Sequence, residues 1–530
     1  MKKNKFFMLL ALASGLVVSS CSMDHLDIPK HGNMGGQDDF YVNDENVNQA
    51  LANMYNTVLN VAQSSLTIKN CLSDDIYNGG GQRGDNATQD QLNEYTFNTE
   101  NSSIQGLYQS LYSVIYSANL IIDKVEPSTD FQKQAVAEAH VIRGWAHFEL
   151  GSLWGTAPIV DHLLEPSEYK LGNSEPGAIM KFAIDEFNTA INSGSLRSKS
   201  TVNDKVTGVR ATKETALAWL GKAQLWAGDV AGAALSLNKV VDSRLYELYK
   251  GEYRDLFHVG QNNCCESMFE CELPFDPEKA YDHIMNYYTM SGWRTGMMSI
   301  DYSKPFAANY VANGWGFYNP QRGLWDAFVE MEGNDGYRKK QIILNYAELK
   351  ENGFTIMPGQ EIIGCEGVWT YKHQLYNSDN PVFFPYFATG AVNYRIMRYA
   401  EVLLLAAEAN LSSDPTKARD CINEVRRRAK LPELTTVTLN DIKKEKRLEL
   451  FNEGVRFQDL VRWGDAAEVL KNQGQKVPNT LDGAGDFGNV KADAATNPQS
   501  GFKKGQHELL PFPNLEIKVN TNMHQNPGWD

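Results

Sequence analysis

The chain has 530 residues, 42% hydrophobic and 22% charged, with a formal net charge of −15. That length exceeds the size at which one hydrophobic core keeps growing, so two lobes or an extended repeat array are expected. The acidic balance disfavours nucleic acid as a partner, because phosphate binding needs clustered Lys and Arg. The dense basic run Arg426-Arg427-Arg428 with Lys430 falls on a predicted helix and reads as a solvated or internally paired face.

Residues 1–20 have the three zones of a secretory signal. Lys2, Lys3 and Lys5 form a basic start, and Phe6 to Val18 is an apolar stretch broken only by Ser14 and Gly15. A bilayer crossing needs ~20 apolar residues, so this stretch is too short to span. It ends in Val18-Ser19-Ser20-Cys21, a small-residue cleavage site followed at once by Cys, which resembles the bacterial lipobox. There the thiol takes up a diacylglycerol group before the peptide is cut ahead of it. Two or three acyl chains make a stable anchor at ~0.8 kcal/mol per buried CH₂. No other apolar run approaches spanning length, so the mature chain is expected to be anchored. Residues 21–40, rich in Gly, Asp and His, read as a flexible tether.

A helical period then starts at Asn46 and runs to Ala62, with Leu51, Met54, Tyr55, Val58 and Leu59 on one face. A polar, Gly-rich loop is expected over Ser73 to Thr88. Further helices are expected at Ile104–Val125, Phe131–Leu153, Ala178–Ile191, Lys213–Ala227 and Val230–Val241. Paired helices with Ala at their contacts suggest tetratricopeptide-like hairpins over 41–243, without a strict period. From 244 to 390 Tyr, Trp, Phe, Gly, Asn and Pro dominate and sustained periodicity disappears. This reads as a loop-rich aromatic insert with short strands and an occasional helix such as Gly323–Met331. Helices return over 391–530 at Arg398–Leu411, Pro415–Ala429 and Leu439–Val461, before an irregular stretch from 472 to 507. The expected fold class is mainly α, a hairpin scaffold with the insert forming a second lobe.

Few motifs carry chemistry. Gly79-Gly80-Gly81-Gln82-Arg83-Gly84 formally satisfies GxGxxG, but no apolar strand precedes it and no helix opens at its last Gly, so no nucleotide is implied. HExxH, GxSxG and GxxxxGK[ST] do not occur. Six cysteines beyond Cys21 are too sparse for a disulfide scaffold, and Cys264-Cys265 with Cys271 lacks zinc spacing. No metal or cofactor is expected. Glu449, Glu453, Arg456 and Asp459 recur at helical spacing, which fits a buried ion-pair ladder better than two carboxyls facing each other across a substrate.

Several segments together are similar to the SusD/RagB family of outer-membrane lipoproteins. Tyr394-Arg395-Ile396-Met397-Arg398-Tyr399-Ala400-Glu401-Val402-Leu403-Leu404 resembles its R-x-A-E-V-L-L helix, and Ile422-Asn423-Glu424-Val425-Arg426 with Leu431-Pro432 resembles its I-N-x-V-R … L-P segment. Arg447-Leu448-Glu449-Leu450-Phe451 through Gly454, Arg456, Asp459 and Trp463 resembles the long E-R-x-x-E-L signature, although Asn452-Glu453-Gly454 and Lys446 depart from it. Pro511-Phe512-Pro513, Gln525-Asn526-Pro527-Gly528 and, near the other end, Arg143 to Phe148 with Gly155-Thr156-Ala157-Pro158 are also similar. The resemblance implies a non-catalytic surface receptor that binds oligosaccharide beside a SusC-like TonB-dependent transporter. It also implies that Cys21 anchors the chain to the outer membrane, facing outward, and Asp24 and Asp27 weakly resemble the matching export signal. A peptide cargo on the same architecture, or a glycosidase lipoprotein, are the alternatives.

A sugar site needs exposed aromatic rings for stacking and short polar groups for hydroxyls. Two regions supply this mixture, and family members tend to build their binding surface from loops there. One is the loop with Asp74, Asp75, Tyr77, Asn78 and Arg83. The other is the insert with Tyr287, Tyr288, Trp293, Arg294, Tyr302, Trp315, Tyr318 and Trp325.

Overall fold

The computed structural model describes residues 40–273, 275, 276, 278, 287–310, 314–380, 390–492 and 499–529. The signal segment, Cys21 and the tether up to residue 39 lie outside the described residues.

The first helix, α1 (Asp44–Cys71), opens under an Asn43 cap whose side chain accepts from the Asn46 N–H at 2.9 Å. It buries Val47, Leu51, Met54 and Val58 on one face, as the periodicity predicts. It runs nine residues past Ala62, where the apolar period stops. A polar face sustains those turns: Ser65 and Lys69 both donate to Glu149, the lysine at 3.1 Å, inside the core. After a short strand, β1 (Ile76–Gly79), comes α2 (Ala87–Glu94), which the polar composition there does not announce.

The scaffold continues through α3 (Ser102–Lys124), α4 (Asp130–Trp154), α5 (Ala178–Asn192), α6 (Lys213–Trp226) and α7 (Val230–Ser243). Each packs on its chain neighbour, as antiparallel hairpins do. Thr129 and Gln132 form a capping box on α4, and the Thr212 hydroxyl caps α6. Gly144, Gly151 and Gly221 sit where helices close up. A Cβ on Gly221 would collide with the Leu237 side chain. The series resumes after the insert with α13 (Tyr399–Asn410), packed on α7, and α14 (Pro415–Arg428), packed on α13.

The insert contains β2 (Ser267–Cys271), α8 (Tyr287–Ser291), β3 (Met298–Ile300), α9 (Pro305–Asn309), β4 (Phe317–Pro320) and α10 (Arg322–Glu332). It continues with α11 (Tyr337–Ile342), β5 (Ile343–Asn345), α12 (Tyr346–Glu351), β6 (Phe354–Ile356), β7 (Glu361–Ile363) and β8 (Val368–Thr370). The strands pair as small antiparallel ribbons, β1 with β4, β3 with β6 and β5 with β8, and β2 joins β9 (Tyr394–Arg398). A second, smaller core lies here, built on Trp293, Tyr310, Leu344, Phe354, Trp369 and Tyr371. No helix of the described residues is long and apolar enough to cross a membrane.

The stretch Leu439–Val461, predicted as one helix, is two: α15 (Leu439–Glu449) and α16 (Arg456–Trp463). Asn452 and Gly454 between them take left-handed φ of 63° and 71°, which ends the first helix and turns the chain. Glu449 and Glu453 therefore do not form a ladder on one helix face. They converge on Arg398 from a helix end and a turn. Arg398 donates to Glu266 at 2.6 Å, to Glu449 at 2.7 Å and to Glu453 at 2.7 Å. Arg338 links Glu332, Glu445 and Glu449 within 3.0 Å. Burial pushes the Glu453 carboxyl up, but Arg398 and Lys372 outweigh it and hold it down at about 2. The basic run is paired too, Arg426 with Glu445 and Arg428 with Glu266.

Burial also keeps three imidazoles neutral, lowering His147 to about 4, His373 to about 3 and His507 to about 4. His147 is locked in that state, with Nδ1 against the Arg143 carbonyl at 2.9 Å and the Val160 N–H donating to Nε2 at 3.3 Å. Between the unfolded histidine value of ~6.5 and these folded values, the unfolded chain binds more protons, so stability falls as pH falls. The depressed carboxylates add to the same trend below about pH 4.3. Calorimetric melts from pH 7 to pH 4 are expected to show a steadily falling Tm, and a Tm that held or rose would contradict the buried neutral imidazoles.

Candidate functional site

The two sequence regions singled out for sugar binding meet through β1 and β4. These strands pair antiparallel, Tyr77 opposite Asn319 and Gly79 opposite Phe317, and the Gly80 N–H extends the ladder to the Gly316 carbonyl at 2.9 Å. The glycine run makes this approach possible. Gly79 and Gly80 have φ of 74° and 99°, and a Cβ on Gly80 would lie 2.8 Å from the Phe317 ring. At Gly81 it would lie 2.8 Å from the Arg294 guanidinium carbon. The run that mimics a dinucleotide loop is thus a cradle for another segment of the same chain. Asp85 closes it, its carboxylate accepting from the Gly81 N–H at 2.7 Å and the Gln82 N–H at 3.1 Å.

The individual candidates divide by burial. Asp74 and Asp75 turn inward: Arg447 reaches both, at 2.9 and 2.8 Å, and Arg456 reaches Asp74 at 2.8 Å. Burial alone would raise the Asp74 carboxyl, but Arg447 and Arg456 together hold it below the usual range. For Asp75 burial wins, with help from the adjacent Asp74 charge, and the carboxyl is raised. Tyr77 is buried with its hydroxyl on Glu366. The buried Asn78 donates to Asp90 at 2.7 Å. These four residues fasten the loop to α2, α15, α16 and the turn between β7 and β8, and the exposure expected of them is not found.

The insert aromatics are similarly occupied. Tyr287 lies on Tyr318 with ring centroids 4.7 Å apart, and Tyr288 lies on Tyr394 at 5.0 Å. Tyr318 donates to Gln89 at 3.0 Å. Trp293 is the centre of the second core, donating from its indole to the Thr370 carbonyl at 2.9 Å, and Trp325 is covered by the Lys339 ammonium at 3.7 Å. Their ring faces are filled by other side chains, which leaves no surface for a sugar. A large ring in a long loop lowers free energy most by packing, at ~25 cal/mol per Å² of apolar surface removed from water. That is why composition alone overcounts binding aromatics.

Three candidates remain at the surface together. Arg83 is half-buried and ion-paired with Glu94, with Asp90 at 3.8 Å. Arg294 is half-buried, donates to the Trp315 carbonyl at 3.1 Å and flanks Gly81. Trp315 is half-buried beside it. The exposed Gln82 belongs to the same rim, though no ring or charge marked it in the sequence. Tyr302 is 63% exposed but stands apart, on the turn after β3. The arrangement offers one indole, two guanidiniums and an amide on a strand-paired platform, which suits stacking and hydrogen bonding to hydroxyls.

Comparison with known proteins agrees with the order of these segments. Residues 365–529 match the SusD family, and residues 31–225 match the family described as starch-binding associating with outer membrane. The chain belongs to the SusD family. A SusD-like protein of Bacteroides ovatus is 26% identical, covering 98% of this chain and 97% of its own. A solved laminarin-binding SusD-like protein superposes with a TM-score of 0.76 at 25% identity, over 92% of this chain and all of that one. Surface glycan-binding protein A from Bacteroides thetaiotaomicron, solved with laminarihexaose, gives 0.70 at 20% identity, over 91% and 99%. The two matched stretches leave residues 226–364 between them, and this SusD-family protein carries Arg294 and Trp315 there. The strand pairing thus sets a segment outside the matched stretches against a loop within one of them.

Proposed function

We propose that this protein is a non-catalytic cell-surface receptor for oligosaccharides. It is held by a lipid on Cys21 at the outward face of the outer membrane and passes its ligand to a SusC-like TonB-dependent transporter. The observation that carries the reading is the strand pairing of the Arg83 loop with the Trp315 segment, with Arg294 between them. It holds the loop with Gln82 and Arg83 and the segment with Trp315 at the same end of one ribbon, which supports a sugar platform there. The names of the laminarin-binding and laminarihexaose-bound relatives support a glycan ligand. The carboxylates that the family signature offers to catalysis are committed elsewhere. Glu449 and Glu453 are neutralised by Arg398, and Asp459 by Lys446 at 2.8 Å.

Calorimetric titration of the full chain against neutral hexasaccharides, including laminarihexaose and maltohexaose, tests this. Saturable binding of at least one sugar is expected, with affinity reduced about tenfold or more in Trp315→Ala. An unchanged affinity in that variant would remove the platform, and no binding to any sugar would remove the glycan reading.

A further inference from the structure

A second surface on the helical scaffold has sugar-binding chemistry of its own. Of the exposed aromatic rings among the described residues, Tyr116, Tyr169, Phe275 and Tyr302, two stand at one groove: Tyr116 is 55% exposed and Tyr169 64%. The groove encloses about 490 Å³ between α3, the segment from Pro158 to Leu171, and the C-terminal helix α17 (Asn514–Val519) with the residues after it. That volume is in the range of small-ligand sites, ~300–1,000 Å³.

Its wall is a tyrosine series. Tyr108, Tyr112 and Tyr116 follow each other at four-residue spacing on α3, so they share one face at about 6 Å intervals along the axis. Tyr108 is buried and forms the floor, Tyr112 is half-buried, and Tyr116 is open, so the rings descend into the groove as steps. The steps are held in place. Tyr112 donates to the Pro158 carbonyl at 2.8 Å, and Tyr108 and Tyr112 lie with centroids 5.0 Å apart. Tyr169 stands on the opposite lip. Two exposed rings facing one concavity cost solvation that folding alone does not recover, which marks a ligand-facing surface.

Charge selects the class of ligand. Among the described lining residues Glu516 is the one ionisable acid and no Lys, Arg or His is present. An anionic or phosphorylated ligand therefore has no counter-charge there. The polar remainder is Thr57, Gln109, Ser113, Ser117, Asn520 and the tyrosine hydroxyls, neutral groups of the kind that take up sugar hydroxyls. The walls are helices and side-chain-bearing loops, so no free strand edge is offered to an extended peptide. We propose that this groove is a second binding site for neutral oligosaccharide, independent of the Arg83–Trp315 platform. The proposal adds to the sugar-binding reading and rests on it.

The test is saturation-transfer NMR and calorimetry with laminarihexaose and maltohexaose on the full chain in four forms. These are the wild type, Arg83→Ala with Trp315→Ala, Tyr116→Ala with Tyr169→Ala, and the combined fourfold variant. Both tyrosines are more than half exposed, so melting temperatures should match the wild type, and Tyr116→Phe with Tyr169→Phe should keep the ring stacking. The platform variant is expected to retain a weaker saturable step, which the added tyrosine changes reduce about tenfold or more. If the platform variant binds nothing while the wild type binds, the groove proposal falls and the platform reading stands. A residual step indifferent to the tyrosine changes overturns it as well. So does a double tyrosine variant that binds sugar normally but no longer co-purifies with outer membranes, which would make the groove a protein-docking face. A wild type that binds no sugar overturns both readings.

Discussion

Arg398→Ala is expected to cost about 3–5 kcal/mol of stability, among the largest effects of any single substitution in the chain. The guanidinium is fully buried and holds Glu266, Glu449 and Glu453 within 2.7 Å. Removing it strands buried carboxylates that Arg428 and Lys372 reach only in part. Desolvation then pushes the carboxyls back toward protonation, so the deficit should be larger at pH 8 than at pH 4. Urea unfolding at the two pH values measures both statements. Replacing Arg398 with Lys should recover little, since a single ammonium cannot span three carboxylates in fork geometry. A variant as stable as the wild type at pH 8 would mean that the cluster is solvated.

Asp74→Ala is expected to lower stability by about 3 kcal/mol and also to weaken sugar binding, through the two guanidiniums its carboxylate holds. Its carboxylate joins Arg447 to Arg456, at 2.9 and 2.8 Å, and so pins the chain just before β1 to α15 and α16. Released, β1 loses its register against β4, and Arg83 moves with the loop. Asp74→Asn should fall in between, because an amide still accepts a hydrogen bond but leaves the two guanidiniums unneutralised. The contrast with Trp315→Ala separates positioning from contact. For Asp74 the loss of affinity should follow the loss of Tm, whereas for Trp315, whose ring is partly packed on the core, affinity should fall by more than its smaller loss of Tm explains. Thermal melts paired with titration distinguish them, and an Asp74→Ala protein of normal Tm but no affinity would place the carboxylate at the ligand.

The helical scaffold is legible in the sequence because its signals are local. Thr129 with Gln132, Thr212 and Asp229 mark helix starts, and the apolar period of Val47, Leu51, Met54 and Val58 marks a buried face. What misled was also local. The extension of α1 to Cys71 depends on Glu149, eighty residues away, and the break after Glu449 depends on a left-handed Asn452 that a helical charge pattern conceals. The site was legible only as two regions. Nothing in Asp74-Asp75 or in Tyr287-Tyr288 tells a side chain that meets a ligand from one that meets Arg447 or Tyr318, because the deciding partner lies outside the local sequence. The glycine run held the missing clue. Three glycines in a row are needed where two backbones and a guanidinium close up, and that contact sets the Arg83 loop at the Trp315 end of the β1–β4 ribbon.

As a receptor, this SusD-family protein is expected to capture a glycan and return it whole. The full chain should be dialysed to equilibrium against the hexasaccharide it binds best, and the sugar then sized by chromatography. Retention should saturate, fall in the Arg83→Ala, Trp315→Ala variant to the weaker step left to the tyrosine groove, and leave the hexasaccharide at its original length. Shorter products that appear with the wild type and vanish when a single carboxylate is replaced would contradict it.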